Sequence, residues 1–257
     1  MKILIYKLTH DSGFAPNPFW GYLTLAACMP NHLGVKKGTY EKYMENEGLY
    51  LVGVESKMLA QKRISKNFKP EVKQSLIYFA KVTEILTLNE YFNDHRFKDK
   101  KFEKNSRDWR KRRGDNVYYI ENGKWKWLRC HGHEPKTIRE LPDEEVFFDV
   151  TLLDKYLKDT DMQKKYDVIL KDLKGNKVFI SEEFVYFGDK GIEFPLKFAE
   201  CLPNRYKYCP DKYTKDFVNF INKLIEKYGD GLQGNPINCH IDDNCNDSAE
   251  EKSPCNG

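Results

Sequence analysis

The sequence has no apolar run long enough to cross a bilayer, which takes roughly 20 residues of helix, and no charged-then-apolar leader at its start. It has no disulfide framework. Seven cysteines are an odd number without regular spacing, so reduced thiols and a cytoplasmic location are expected. It has no Walker loop, no dinucleotide fingerprint and no Gly-x-Ser-x-Gly elbow. Those absences exclude the commonest phosphate cradles and the α/β-hydrolase nucleophile. Cys28 closes the apolar run "LTLAAC" and reads as a small buried residue, not an activated thiol. Cys130, His131 and His133 invite a metal, yet no second Cys or His pair completes a set, and Cys201 and Cys209 stand on a separate loop. No metal is predicted, the sequence does not identify a cofactor, and no internal repeat is present.

What the chain does have is aromatic. Its 257 residues include 16 Phe, 16 Tyr and 4 Trp, a share that favours strands and stacking surfaces. The net charge of +4 is unevenly spread. Lys98 to Arg113 holds nine basic and three acidic side chains, whereas Asp242 to Gly257 holds five acids and one Lys. The basic stretch allows an anionic partner without requiring one.

Local signals place the elements. Lys2 to Leu8, Leu49 to Ser56 and Ser75 to Leu86 read as strands, the last one long and central. Thr87 with Glu90 is a capping-box pattern that predicts a short helix from Leu88. Asn122-Gly123 is the preferred type I′ pair, so Asn116 to Glu121 and Lys124 to Leu128 should form a hairpin. Asp149 to Leu170 reads as partly helical, and strands are expected at Val178 to Ile180 and near Phe184 to Phe187. Thr214 is expected to cap a helix through Tyr228, carrying the stripe Phe217, Phe220, Ile221, Leu224, Ile225 and Tyr228, with Gly229 as its stop. The sum is an α+β fold on a mixed or antiparallel, partly barrel-like sheet with a few peripheral helices and a C-terminal helix. Residues 1–238 make a single domain and 239–257 a disordered acidic tail.

One loop carries the chemistry question. "HDSGFAPNPFWG", His10 to Gly21, follows the first strand. Pro16 and Pro18 stiffen it, and it presents Phe14, Phe19 and Trp20. Such rings suit a base, because every base offers a π face. Asn17 could read a base edge, and His10 and Asp11 could bond a sugar or move a proton. Equally, Phe14 and Phe19 could plug the core while Asp11 makes an Asx turn. Arg96, oriented by Asp94, could hold a phosphate or pair on the surface. Arg107, Trp109, Arg110, Arg112 and Arg113 suit a nucleic-acid backbone or a solvated loop. Asp115 could be a base or hydrogen-bond acceptor, or simply part of a turn with Gly114 and Asn116.

"ILIYKLTHDSGFAPNPFWGYLTLAAC", "VGVESK", "LIYFAKVTEILTLNEYFNDHRF", "GDNVYY", "VFISEEFVYFG" and "GLQGNPIN" together resemble the nucleotide modification associated domain 2 family of bacteria and their phages. "GFAPNPF" and "FNDHRF" are its specific parts, and the resemblance runs from Met1 to about Asn238. It implies a role near modified bases, in DNA modification or phage–host conflict. Taken with the chemistry of the loop and the segments quoted, the expected ligand-binding set is His10, Phe14, Asn17, Phe19, Trp20, Ser56, Lys57, Arg96, Asp115, Asn116 and Tyr118. The sequence departs from the pattern at Glu55, an acid where a small residue would let a phosphate reach Ser56 and Lys57. Three readings follow. The first is a protein that binds a nucleotide or modified base, with DNA as a further partner and no membrane. The second is an enzyme, a transferase or glycosidic-bond hydrolase, using His10, Asp11, Asp94 and Asp115. The third is a non-catalytic interaction protein.

Overall fold

The computed structural model of the chain describes residues 1–27, 38–46, 48–128, 130 and 148–238. Cys28, His131, His133 and the tail from residue 239 lie outside the described residues. The strands are β1 (Lys2–Leu8), β2 (Leu23–Leu25), β3 (Leu49–Glu55), β4 (Ser75–Lys81), β5 (Glu84–Leu86), β6 (Tyr118–Glu121), β7 (Lys124–Trp127), β8 (Phe148–Asp149), β9 (Val178–Ser181), β10 (Glu183–Tyr186), β11 (Ile192–Glu193), β12 (Tyr206–Tyr208) and β13 (Gly231–Leu232). The α-helices are α1 (Thr39–Asn46), α2 (Lys57–Ser65), α3 (Leu88–Asn93), α4 (Leu153–Tyr156), α5 (Thr160–Gly175) and α6 (Asp211–Tyr228).

The main sheet runs β12-β1-β3-β4-β10-β13, with β11 on the first half of β4. β1 pairs parallel with β3 and β10 parallel with β13, while the other pairs are antiparallel. The fold is therefore α+β on a mixed sheet, as expected. The sheet stays open between edge strands β12 and β13 and does not close into a barrel.

Alternation along the strands gives the sheet two buried faces. Ile3, Ile5, Val52, Val54, Phe79 and Val185 meet the stripe Phe217, Ile221 and Leu224 of α6. Each such side chain stabilises the fold by about 1.5–3 kcal/mol on burial. Leu4, Tyr6, Leu8, Leu51, Tyr78, Ala80 and Tyr186 face the other way, against Leu23, Leu25 and Phe179 of a second sheet, β2-β9-β5. A third cluster joins Tyr91, Phe97, Tyr118, Trp125, Trp127, Ile169 and Leu173 to Phe14 of the opening loop.

The strong local signals hold. Thr87 Oγ1 accepts from the Glu90 N–H at 3.2 Å while Glu90 Oε2 accepts from the Thr87 N–H at 2.8 Å. The β6–β7 hairpin turns on Asn122 (φ 51°) and Gly123 (φ 73°), both left-handed as a type I′ turn requires. Two expectations are corrected. Ser75 to Leu86 is not one strand. At Val82 and Thr83 the chain steps from one sheet to the other, as their N–H groups donate to Leu49 O and Ile180 O, each at 2.8 Å. Thr214 does not cap α6, which starts earlier, after Pro210; its hydroxyl donates back to the Pro210 carbonyl at 3.4 Å.

Candidate functional site

The opening loop leaves the end of β1 and divides between two buried polar groups and one surface cluster. The first buried group forms around Asp11, which is 0% exposed. Its Oδ1 accepts from the Tyr186 hydroxyl at 2.6 Å and its Oδ2 from the Ile237 N–H at 2.9 Å. The Asp11 N–H donates to Asn238 Oδ1 at 2.7 Å, and the Asn238 N–H donates to the Asp11 carbonyl at 3.0 Å. Residues 236–238 are thus strapped to the loop. Burial raises the Asp11 carboxyl to about 6, against the lowering effect of the Ile237 and Tyr186 bonds.

Beneath Asp11 lies a row set by strand register. Tyr6 pairs with Gly53, Gly53 with Tyr78, and Tyr78 with Tyr186. The hydroxyls of Tyr6 and Tyr78 hydrogen-bond to each other across β3. Gly53 makes this possible, because a Cβ there would lie 2.3 Å from Tyr78 Cε1 and 2.6 Å from Leu8 Cδ1.

The second buried group lies under the far half of the loop. Lys100, 1% exposed, donates to Asn17 O at 3.0 Å, Asn17 Oδ1 at 2.8 Å and Tyr22 O at 3.0 Å. Three acceptors take the three protons of the ammonium and so favour its charged form. Burial works the other way and pulls Lys100 down to about 7, opposed by the charge of Asp115. Asp115 accepts from the Thr24 hydroxyl at 2.7 Å and the Tyr91 hydroxyl at 2.8 Å, and burial raises its carboxyl. Asn17 Nδ2 donates to Arg113 O at 3.1 Å, which ties the loop to the basic segment.

The surface cluster sits above. Phe19 is buried, and Trp20 and Trp109 are half-buried against its ring, with centroids at 5.6 and 5.3 Å and planes at 74° and 86°. The Arg110 guanidinium lies 5.7 Å from the Trp20 ring centroid, and Lys100 Nζ lies 5.9 Å from it. The basic segment therefore meets the opening loop. Asp108 holds Arg110 at 2.7 Å, and Glu103 and Asp99 hold Lys111. Arg107 is exposed, Arg112 and Arg113 are half-buried, and Arg112 Nη1 donates to Ser106 O at 2.6 Å.

The other expected residues lie apart from this cluster. His10 is half-buried and Phe14 packs in the third core cluster. Ser56 caps α2 by accepting from the Leu59 N–H at 3.1 Å, and Lys57 is exposed. Glu55 turns inward to Arg63. Nε donates to Oε1 at 2.8 Å and Nη2 to Oε2 at 3.0 Å, while the remaining N–H groups bond the carbonyls of Phe68, Lys69 and Val72. Arg96 is held by Asp94 at 2.6 Å and Glu84 at 2.9 Å on the surface, and Asp94 is lowered by that bond. Asn116 Nδ2 donates to Tyr91 O and Phe97 O, and the Tyr118 hydroxyl donates to Asp172 at 2.9 Å. Of the four acid–base candidates, Asp11, Asp94 and Asp115 have no hydrogen-bond partner in common: Asp11 is held by Tyr186 and Ile237, Asp94 binds Arg96, and Asp115 is held by Thr24 and Tyr91.

Lys100, Arg63, Tyr186 and Gly53 are not singled out in the sequence. Lys100 looks there like any member of a basic run.

These features define an α+β domain with an aromatic-cationic surface built by two segments far apart in sequence. The chain belongs to the nucleotide modification associated domain 2 family, whose profile matches residues 1–145 and 150–243. Membership associates it with nucleotide modification. Comparison with curated proteins and with solved structures gives no match. Among the described residues no helix is long and apolar enough to cross a membrane.

Proposed function

We propose that the chain binds a nucleobase at the surface formed by Trp20, Trp109 and Arg110. The observation that carries this is the meeting of two segments on Phe19: the half-buried indoles of Trp20 and Trp109 flank that ring, with the Arg110 guanidinium 5.7 Å from Trp20. An indole stacks on a base, and a guanidinium held by one carboxylate still has donors for a phosphate. Asn17 and Asp115, fully buried and hydrogen-bonded, support the loop from below and do not touch the ligand. The enzyme reading is not favoured, because Asp11, Asp94 and Asp115 do not share one hydrogen-bonded site.

The test is tryptophan emission. Trp125 and Trp127 are 3% and 4% exposed, so added nucleoside monophosphates reach Trp20 and Trp109 first. Quenching is expected. Stacking contributes about 1–3 kcal/mol per base, so Trp20→Ala or Trp109→Ala should weaken binding at least about fivefold. Unchanged emission across all common nucleotides, methylated ones included, would sink the proposal.

A further inference from the structure

The two indoles bear on the kind of nucleotide. We infer that this surface takes single-stranded nucleic acid, two successive bases at a time, in preference to a free mononucleotide. The inference rests on the base-binding reading and adds the class of ligand to it.

Trp20 and Trp109 both stand edge-on to Phe19, at 74° and 86°, with centroids 5.6 and 5.3 Å from it. They are therefore no farther apart than the sum of those distances. Successive bases of a single strand stack on neighbouring aromatic side chains in this way. One base engages one indole, so a mononucleotide leaves the second platform unused. A duplex offers neither indole a base face, since its bases are stacked on one another.

Charge supports a strand as well. Lys98 to Arg113 carries nine basic and three acidic side chains. Asp108 is held by Arg110, and Asp99 and Glu103 by Lys111, so the acids of the segment are taken up by two of its cations. Lys104 and Arg107 stand exposed in the same segment as Trp109. Cations beside stacking rings can track consecutive phosphates. The platform itself is rigid. Lys100 ties Asn17 and Tyr22 on either side of Phe19 and Trp20, and Asn17 Nδ2 ties the loop to Arg113. Little ordering is then left for the moment of binding.

The experiment compares a short fluorescein-labelled oligodeoxythymidylate, the same strand annealed to its complement, and thymidine monophosphate as competitor. The single strand should bind at least about tenfold tighter than either, with two stacked bases in place of one. Its log Kd should change with log salt by about 0.7 for each phosphate held, or roughly 1.4–2.1 for two or three phosphates. Trp20→Ala and Trp109→Ala should each weaken the strand about fivefold or more with the circular dichroism unchanged. Arg107→Glu, at an exposed position that need not disturb folding, should lower both affinity and salt slope. Equal affinity for monophosphate and strand with a flat salt response overturns the inference and leaves the base-binding reading standing. Tighter binding of the duplex overturns it too. No binding by any of the three overturns the inference, and the base-binding reading falls with it only if the other common and methylated nucleotides also leave the emission unchanged.

Discussion

Replacing Asp11 by Asn tests the junction between the opening loop and residues 236–238. The carboxylate is fully buried and accepts from Tyr186 and from the Ile237 N–H. Burial raises its carboxyl from 3.8 to about 6. The native state then keeps its proton up to about pH 6, whereas the unfolded chain releases it near pH 3.8. Asp11 therefore contributes stability below pH 3.8, and that contribution is lost as pH rises through about 6. The displacement corresponds to on the order of 3 kcal/mol, at about 1.36 kcal/mol per pH unit. Asn keeps an oxygen for Tyr186 but turns an NH₂ toward the Ile237 N–H, donor against donor, which costs about 1–3 kcal/mol. Urea unfolding of both proteins across the range from about pH 4 to about pH 7 measures the difference. Asp11→Asn should be clearly less stable at the acid end, and the gap should narrow or reverse near neutrality. Stability curves that run parallel over the whole range would refute both the raised carboxyl and the role given to burial.

Other substitutions test the rest of the framework. Gly53→Ala pushes a Cβ to 2.3 Å from Tyr78 and should cost about 1–3 kcal/mol by overpacking, read as a lower urea midpoint with the slope unchanged. Arg63→Met leaves Glu55 as an unpaired buried carboxylate and should cost about 3–5 kcal/mol. The double variant with Glu55→Gln should recover part of that loss, and simple additivity would contradict the pairing. Lys100→Met strands three acceptors on Asn17 and Tyr22, so it should destabilise the fold by on the order of 3 kcal/mol. It should also increase acrylamide quenching of Trp20, and an unchanged quenching constant would show that Lys100 does not hold the loop.

Several elements were legible because their causes are local. The capping box at Thr87 and Glu90 and the turn at Asn122-Gly123 each depend on residues within a few positions of one another. The stripe on α6 repeats with the helical period, so its buried face could be read, although its first turn could not. Pro210 set that start, and Thr214 was left to back-bond inside the helix. The break at Val82 was hidden because Ser75 to Leu86 is rich in strand-forming apolar residues on both sides of Lys81, Thr83 and Glu84, and its two halves are separated by which sheet each one joins.

The sequence by itself determined that His10 to Gly21 is a stiff, aromatic loop and that a basic, tryptophan-bearing segment lies near the middle of the chain. It also carried the family. The tertiary structure decided which rings face outward: Phe14 entered the core, Phe19 became the pivot, and Trp20 was placed beside Trp109. It buried Lys100 while leaving its neighbours in the basic run at least partly exposed. It also turned Glu55 inward to Arg63, away from any role at Ser56 and Lys57. The physical reason is common to these cases. Whether a charged or aromatic side chain is buried depends on the partners that surround it in space. For Lys100 and Phe19 those partners lie on segments far away along the chain, beyond the reach of periodicity or propensity.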